Sequence, residues 1–310
     1  MERFRYLIFI LIFIISFLLI KLLIPYLRRI GAIQFEREEG PDSHKMKEGT
    51  PRGGGLVFLI APLFLLPFYR NRDFVFLYLA IVLNGIIGLV DDFLTANKKH
   101  STGLSIRLKM LLITATAVFL YFLGKELLSS KLMVGNISLW LGNFLYFILF
   151  MIIFVGSPNA FNLTDGVDGL LGIISIPILV TIAIINKGIV RDFSFVLIPS
   201  IFAFLWFNSP KASIFMGDTG ASALGGAIAA MSVIGKFEIL LPLIAIIPVL
   251  ESLSVFIQVG YFKITKGKRV FKMAPIHHHF ELLNWSESKI DFRFFIITVI
   301  FCIIALFFRG

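Results

Sequence analysis

The chain has 310 residues, of which 58% are hydrophobic and 15% charged, with 35 Phe and a mean hydropathy of +0.92. Soluble domains carry about a quarter charged residues, so this composition excludes an ordinary soluble globular protein and points to a polytopic membrane protein. The net charge of +10 has no basic soluble domain to carry it. It therefore argues for topology signals and attraction to membrane lipid rather than for a nucleic-acid partner.

In chain order, ten apolar runs approach the roughly 20 residues that cross a bilayer: 4–24, 54–69, 74–90, 108–123, 141–158, 170–186, 193–207, 219–235, 239–262 and 291–308. They predict an all-α architecture of about ten transmembrane helices forming one catalytic membrane domain over 1–310. The first run is too long for a signal-peptide core and has no small-residue cleavage site after it, so it reads as a retained helix. Pro62, Pro67 and Pro248 predict tilts or kinks. Alternation in "KLMVGNISLW" around Gly135–Asn136 predicts a small hairpin. The Gly, Ala and Ser of "TGASALGGAIAAM" predict close helix packing, and Cys302, the single cysteine, reads as a buried small apolar residue. No internal repeat is evident, which weighs against a transporter built from repeated halves.

If the segment after the first run faces the cytoplasm, the inner segments hold 18 Lys or Arg against 10 on the outer segments and termini. The bias predicts both ends outside. Every unusual polar motif then falls on the cytoplasmic side. Asp91 and Asp92 end the third run, Asp165 and Asp168 follow the fifth, and Asp218 opens the eighth. At the bilayer centre each would cost about 2.5–3.5 kcal/mol and the five together on the order of 15 kcal/mol, as much as a whole domain's stability. They must therefore sit at the interface, in a wet cleft or beside cations. Adjacent carboxylates repel without a cation, and oxygen-rich clusters suit Mg²⁺, which takes one or two carboxylates plus substrate phosphate.

In "NAFNLTDGVDGL", Asn159, Asn162, Asp165 and Asp168 step by three, a spacing that fans over half a helix instead of making one stripe. With Gly166 and Gly169 beside them, it predicts a helix end opening into a tight turn that meets a polar ligand. "GKRVFKMAPIHHHFELLNW" offers Lys268, Arg269 and Lys272 ahead of His277, His278 and His279. Adjacent histidines point apart, so a phosphate-binding loop with proton-transfer groups fits better than one metal on all three. "HKMKEGTPRGGGL", with Lys45, Lys47, Thr50 and Arg52, is a weaker anion-loop signal. Glu251 and Gln258 are polar groups inside the ninth run, either functional or hydrogen-bonded between helices. Acidic residues, basic loops and histidines on one face suit a diphosphate, and the membrane setting suits a lipid acceptor.

"GLVDDF", "NAFNLTDGVDGL", "FNSPKASIFMGDTGA" and "MAPIHHHFE" resemble the polyprenyl-phosphate N-acetylhexosamine-1-phosphate transferases, over about residues 44–293. The last motif resembles the phospho-N-acetylmuramoyl-pentapeptide branch in particular. The resemblance implies transfer of that group from UDP-N-acetylmuramoyl-pentapeptide to undecaprenyl phosphate in the bacterial inner membrane, giving lipid I and UMP with Mg²⁺. Transfer of N-acetylglucosamine-1-phosphate is the nearest alternative and a cation-coupled transporter a more distant one; a homodimer is left open. The resemblance implies Asp218 as the metal ligand, with Asp91 and Asp92 as paired catalytic aspartates and further candidate ligands. It matches Asn159, Asn162, Asp165 and Asp168 to the nucleoside side, Asn208 and Phe215 to the asparagine and base-stacking aromatic, and His277 and His278 to the functional histidines. Lys47, Thr50 and Gln258 line up along the cleft. The family's lysine soon after the Asp pair is missing: Thr95 stands close by, with Lys98 and Lys99 later. Lys109 is the choice for the later lysine, with Arg107 as its rival.

Overall fold

The computed structural model describes residues 2–33, 49–97, 103–135 and 137–309. The helices are α1 (Glu2–Arg29), α2 (Leu56–Ile60, continued by a 3₁₀ turn Ala61–Leu65), α3 (Arg72–Asn97), α4 (Ile106–Leu123), α5 (Gly142–Thr164), α6 (Leu170–Ile185), α7 (Gly188–Asn208), α8 (Gly217–Gly235), α9 (Leu241–Ile244), α10 (Ile246–Ile264), α11 (Ile276–Glu281) and α12 (Glu287–Arg309). Each of the ten apolar runs contains helix, and most of the helices extend past their runs. Among the described residues, seven helices are long and apolar enough to cross a membrane.

Two runs depart from plain spans. Residues 54–69 make only a short helix and a 3₁₀ turn, with Pro62 near the start of the latter. Residues 239–262 break at Ala245, the boundary between α9 and α10. Pro248, expected to kink this run, accounts for the break. It has no N–H to donate to the Ile244 carbonyl one turn earlier and its ring crowds that carbonyl, so the helix stops at Ala245 and restarts with Pro248 in the first turn of α10.

The central helix is α8, which packs against α3 and α5; α7 packs on α6 and α1, and α12 on α6. From Gly217 to Val233 almost every residue of α8 is buried. Because its surroundings are protein and not lipid, α8 can be rich in small residues and less apolar than the outer helices. The outer surface is lined with exposed Leu22, Phe256, Ile303 and Phe307, as a lipid-facing bundle requires. The expected hairpin is present: β1 (Lys131–Val134) pairs antiparallel with β2 (Ile137–Trp140), with Val134 opposite Ile137. Cys302 is buried, as expected.

Candidate active site

The site forms where α3 ends and α8 begins. Asp92 caps α8 from outside it: Oδ1 accepts from the Asp218 amide at 3.0 Å, and Oδ2 from the Thr219 amide at 3.0 Å and its hydroxyl at 2.7 Å. A helix's first amides lack partners within the helix, so one carboxylate fixes the start of α8 and with it Asp218. The close approach depends on Gly88, one turn before Asp92. A Cβ there would lie 2.1 Å from the Asp218 carbonyl oxygen.

Two cations bind the carboxylates together. Arg52 places Nε 3.0 Å from Asp92 Oδ1 and a terminal nitrogen 2.8 Å from Asp218 Oδ1. Lys109 places Nζ 3.1 Å from Asp91 Oδ2 and also contacts Asp218 Oδ2. Burial disfavours the Arg52 charge, but Asp92, Asp218, Asp165 and Asp91 outweigh it and raise the guanidinium above its ordinary pKa. Arg52 is held by strand-like pairing: the Phe215 amide donates to Pro51 O at 2.8 Å, and the Gly54 and Gly55 amides donate to the carbonyls of Phe215 and Met216. The Gly54 and Gly55 amides thus serve backbone pairing, while residues 44–48 of the expected anion loop lie outside the described residues. The half-buried Thr50 enters this pairing segment and Phe215, also half-buried, leaves it.

Among the described residues, Lys109 is the lysine that meets the acidic site, whereas Arg107 is exposed. Thr95 donates to the Asp91 carbonyl at 2.8 Å, so its hydroxyl is engaged within its own helix. Lys47, Lys98 and Lys99 lie outside the described residues. Arg52 is the residue that sequence reasoning underweighted. Its only signal was a cation just before a glycine-rich helix start, which is common at membrane edges.

The four polar residues of "NAFNLTDGVDGL" separate as their spacing predicted. Asn159 donates to Val155 O at 2.7 Å on its own helix, and Asn162 is half-buried on the last turn of α5. After Thr164 the chain turns, and Gly169, with φ of 87°, starts α6. Asp165 feels the Arg52 and Asp218 charges. Asp168 and Asn208 are buried braces: Asp168 Oδ2 accepts from the Ala212 amide at 3.0 Å, while Asn208 accepts from the Gly169 amide at 3.0 Å and donates to Ile214 O at 2.9 Å.

Burial pushes the Asp165 carboxyl up to about 8; Arg52 opposes this, while Asp218, Asp92 and Asp168 add to it. A folded-state pKa raised above its unfolded value contributes stability at low pH that is lost as pH rises through about 8. Asp165→Asn removes that loss. In Mg²⁺-free detergent its melting midpoint is expected about 2 °C or more above the unsubstituted protein at pH 8.5, with the gap closing toward pH 5. Thermal unfolding at the two pH values checks this; an equal gap at both would contradict it.

The histidine run diverges only in part: the His277 and His278 rings lie side by side with centroids 4.1 Å apart, against the expectation that adjacent histidines point apart, while His279 turns toward Phe271. His277 is fully buried, and a Cβ on Gly166 would sit 2.1 Å from its Nε2. His278 pairs Nδ1 with Glu281 at 2.6 Å, and His279 accepts from the Lys272 amide at 3.1 Å. Gln258 on α10 accepts from the Val270 and Phe271 amides at 3.1 and 2.9 Å, tethering the basic loop. Beside the turn, an apolar groove of about 500 Å³ runs between α5 and α10, lined by Ile152, Gly156, Asn159, Pro248, Leu253 and Phe256 among others.

A family model described as Glycosyl transferase family 4 matches residues 74–236. The chain is 43% identical to the phospho-N-acetylmuramoyl-pentapeptide-transferase of Dictyoglomus thermophilum, over 92% of this chain and 91% of that one. Identity to the enzyme of the same name from Thermotoga maritima is 41%, over 92% and 93%. For the one from Thermodesulfovibrio yellowstonii it is 39%, over 91% and 86%. The chain belongs to the phospho-N-acetylmuramoyl-pentapeptide transferase family. In this member of the family, the matched segment contains Asp91, Asp92, Lys109, Asp165 and Asp218, so the acidic site lies within the shared core. Arg52 and the histidine loop lie outside that segment.

Proposed function

We propose that this chain transfers phospho-N-acetylmuramoyl-pentapeptide from its UDP carrier to undecaprenyl phosphate, forming lipid I and UMP at the cytoplasmic face of a bacterial inner membrane. The observation that carries the reading is the cluster of Asp91, Asp92, Asp165 and Asp218 around Arg52 and Lys109, next to an apolar groove. A diphosphate needs the cations, and a polyprenyl chain needs the groove.

Mg²⁺ fits this donor set. Four carboxylates face two cations, so the donor set carries an excess of negative charge that a divalent cation would balance. Asp218 and Asp91 are the ligands of choice. Asp92 has both oxygens on backbone amides of α8, whereas Asp91 has one on the Leu104 amide and one beside Lys109, and Asp218 has both beside the side-chain cations Arg52 and Lys109. Among the described residues no three of His, Cys, Asp or Glu are grouped to hold a metal, so substrate oxygens would complete the shell, as Mg²⁺ commonly allows. Bound there, it would neutralise charge developing on the diphosphate oxygens.

An oxygen of the lipid phosphate attacks the β-phosphorus of the donor, the bond to the α-phosphate oxygen breaks, and UMP leaves. Lys109 and Arg52 stabilise the phosphoryl oxygens, and Asp91 orients the acceptor phosphate through Lys109. Positioning and electrostatics supply most of such a reaction. Asp92 is poorly placed as a covalent nucleophile, since its oxygens already accept from the Asp218 and Thr219 amides.

The test is UMP release from UDP-N-acetylmuramoyl-pentapeptide and undecaprenyl phosphate by the purified protein. Release that stops on chelation and returns with Mg²⁺ is expected. Turnover of UDP-N-acetylglucosamine alone would assign a different donor, and silence with both donors in folded protein would refute the transferase reading.

A further inference from the structure

Glu251 lies in α10 with no exposed surface, and the transfer chemistry above makes no use of it. Its Oε2 is 3.1 Å from Nδ1 of His277 and receives the His277 backbone amide at 3.4 Å. The Nδ1 approach is a close ion-pair distance without hydrogen-bond alignment. Glu251 Oε1 and both ring nitrogens of His277 are buried with no hydrogen-bond partner among the described residues, so the backbone amide is the one hydrogen bond between the two residues. Burying a carboxylate against an imidazole in this way is unfavourable unless the pair is kept together, because separating it strands a buried charge. The pair also joins three elements. On α10, Pro248, Val249, Ser252, Leu253 and Phe256 line the apolar groove, while Glu251 and Ser254 are buried within the protein. On α11, His277 carries its Nε2 edge to the turn after α5, where only a glycine fits at position 166. Asp165, the carboxylate of that turn that feels Arg52, Asp92 and Asp218, is the adjacent residue.

We propose that Glu251 is a positioning residue for the transfer reaction: it fixes the His277 ring, and the ring in turn fixes the Asp165–Gly169 turn against which the uridine-nucleotide donor binds. This rests on the donor assignment above. Glu251 touches no reacting atom and acts only through His277. The same helix borders the groove on its other side, so α10 is in contact with both substrates' surroundings.

The experiment compares Glu251→Gln, Glu251→Ala and Gly166→Ala in detergent with the unsubstituted protein. Steady-state UMP release gives separate KM values for the two substrates, and calorimetry gives the affinity for UMP alone. An orienting partner behind a site is commonly worth about 10–100-fold. Glu251→Ala is expected to raise the donor KM and weaken UMP binding about tenfold or more while the undecaprenyl phosphate KM stays within about twofold. Glu251→Gln, which keeps the size and one acceptor oxygen, is expected to lie between. Gly166→Ala pushes on the same ring from the opposite side and is expected to give the same donor-selective pattern. A merely structural role predicts something else: fewer folded molecules, a lower kcat per total protein, and unchanged KM values. That outcome, or wild-type kinetics in Glu251→Gln and Glu251→Ala alike, overturns the proposal. If the unsubstituted protein turns over neither donor, the functional reading fails by itself, and UMP affinity still decides whether Glu251 holds a nucleotide site.

Discussion

Asp218→Ala is expected to lower the rate of UMP release by at least about 10³-fold while leaving a folded protein. Two physical effects add. The substitution removes the carboxylate that both cations share, since Arg52 lies 2.8 Å from its Oδ1 and Lys109 contacts its Oδ2. Those cations would then turn toward Asp92 and Asp91, away from a transferring phosphoryl group. It also removes the ligand on which the proposed Mg²⁺ site chiefly depends. Losing a single preorganised electrostatic contact at a reacting centre costs about 10²–10³, and here one residue holds two cations and would also hold the proposed Mg²⁺. Folding should survive, because α8 is capped by Asp92 through backbone amides that alanine retains. The checks are turnover at saturating Mg²⁺ and a melting curve. A variant with more than about a tenth of the original rate would show that Asp218 is no centre of this site. Asp218→Asn should recover little, because an amide supplies neither the charge for the cations nor a strong Mg²⁺ donor.

Much of this was legible in the sequence, for reasons that differ by element. The apolar runs located the helices because lipid solvation imposes length and composition directly. The break at Ala245 was legible as a kink from Pro248, because a proline disrupts the helix about one turn before itself, although the residue at which it falls was not. The acidic cluster was legible because charged residues are costly near lipid and must be explained. Which oxygen does what was not. The sequence treats Asp91 and Asp92 as a pair, while the structure gives Asp92 to the start of α8 and leaves Asp91 beside Lys109. Asp168 and Asn208 follow the same logic: their motif marks the turn, but only three-dimensional contact shows that they brace it from behind. Arg52 and Glu251 were visible as charges and could be weighed only once their partners, 40 and 26 residues away in the chain, were brought to them.

Gly88→Ala carries the second large expectation, because the acidic site is a consequence of how closely α3 and α8 approach. The added methyl would sit 2.1 Å from Asp218 O, 2.3 Å from Asp218 C and 2.5 Å from Thr219 N. All three are backbone atoms at the start of a buried helix, so no side chain can rotate away to make room. The helices must separate there by about 1 Å or more, and overpacking of this kind typically costs about 1–3 kcal/mol or more. Separation acts first on the bonds from Asp92 to the Asp218 and Thr219 amides, which lie one turn away on the same interface. Asp218 then loses its fixed place relative to Asp91, Lys109 and Arg52. A displacement near 1 Å at a reacting centre is worth about 10²-fold in rate. The expected result is a folded but less stable protein whose turnover falls about a hundredfold or more, with activity lost to a greater extent than the melting midpoint alone would account for. Gly156, which faces the groove and has open space within 4 Å of where an added methyl would lie, is the control: Gly156→Ala should leave the acidic site intact and keep near-normal stability. If Gly88→Ala and Gly156→Ala behave alike, the contact between α3 and α8 does not set the geometry of the site.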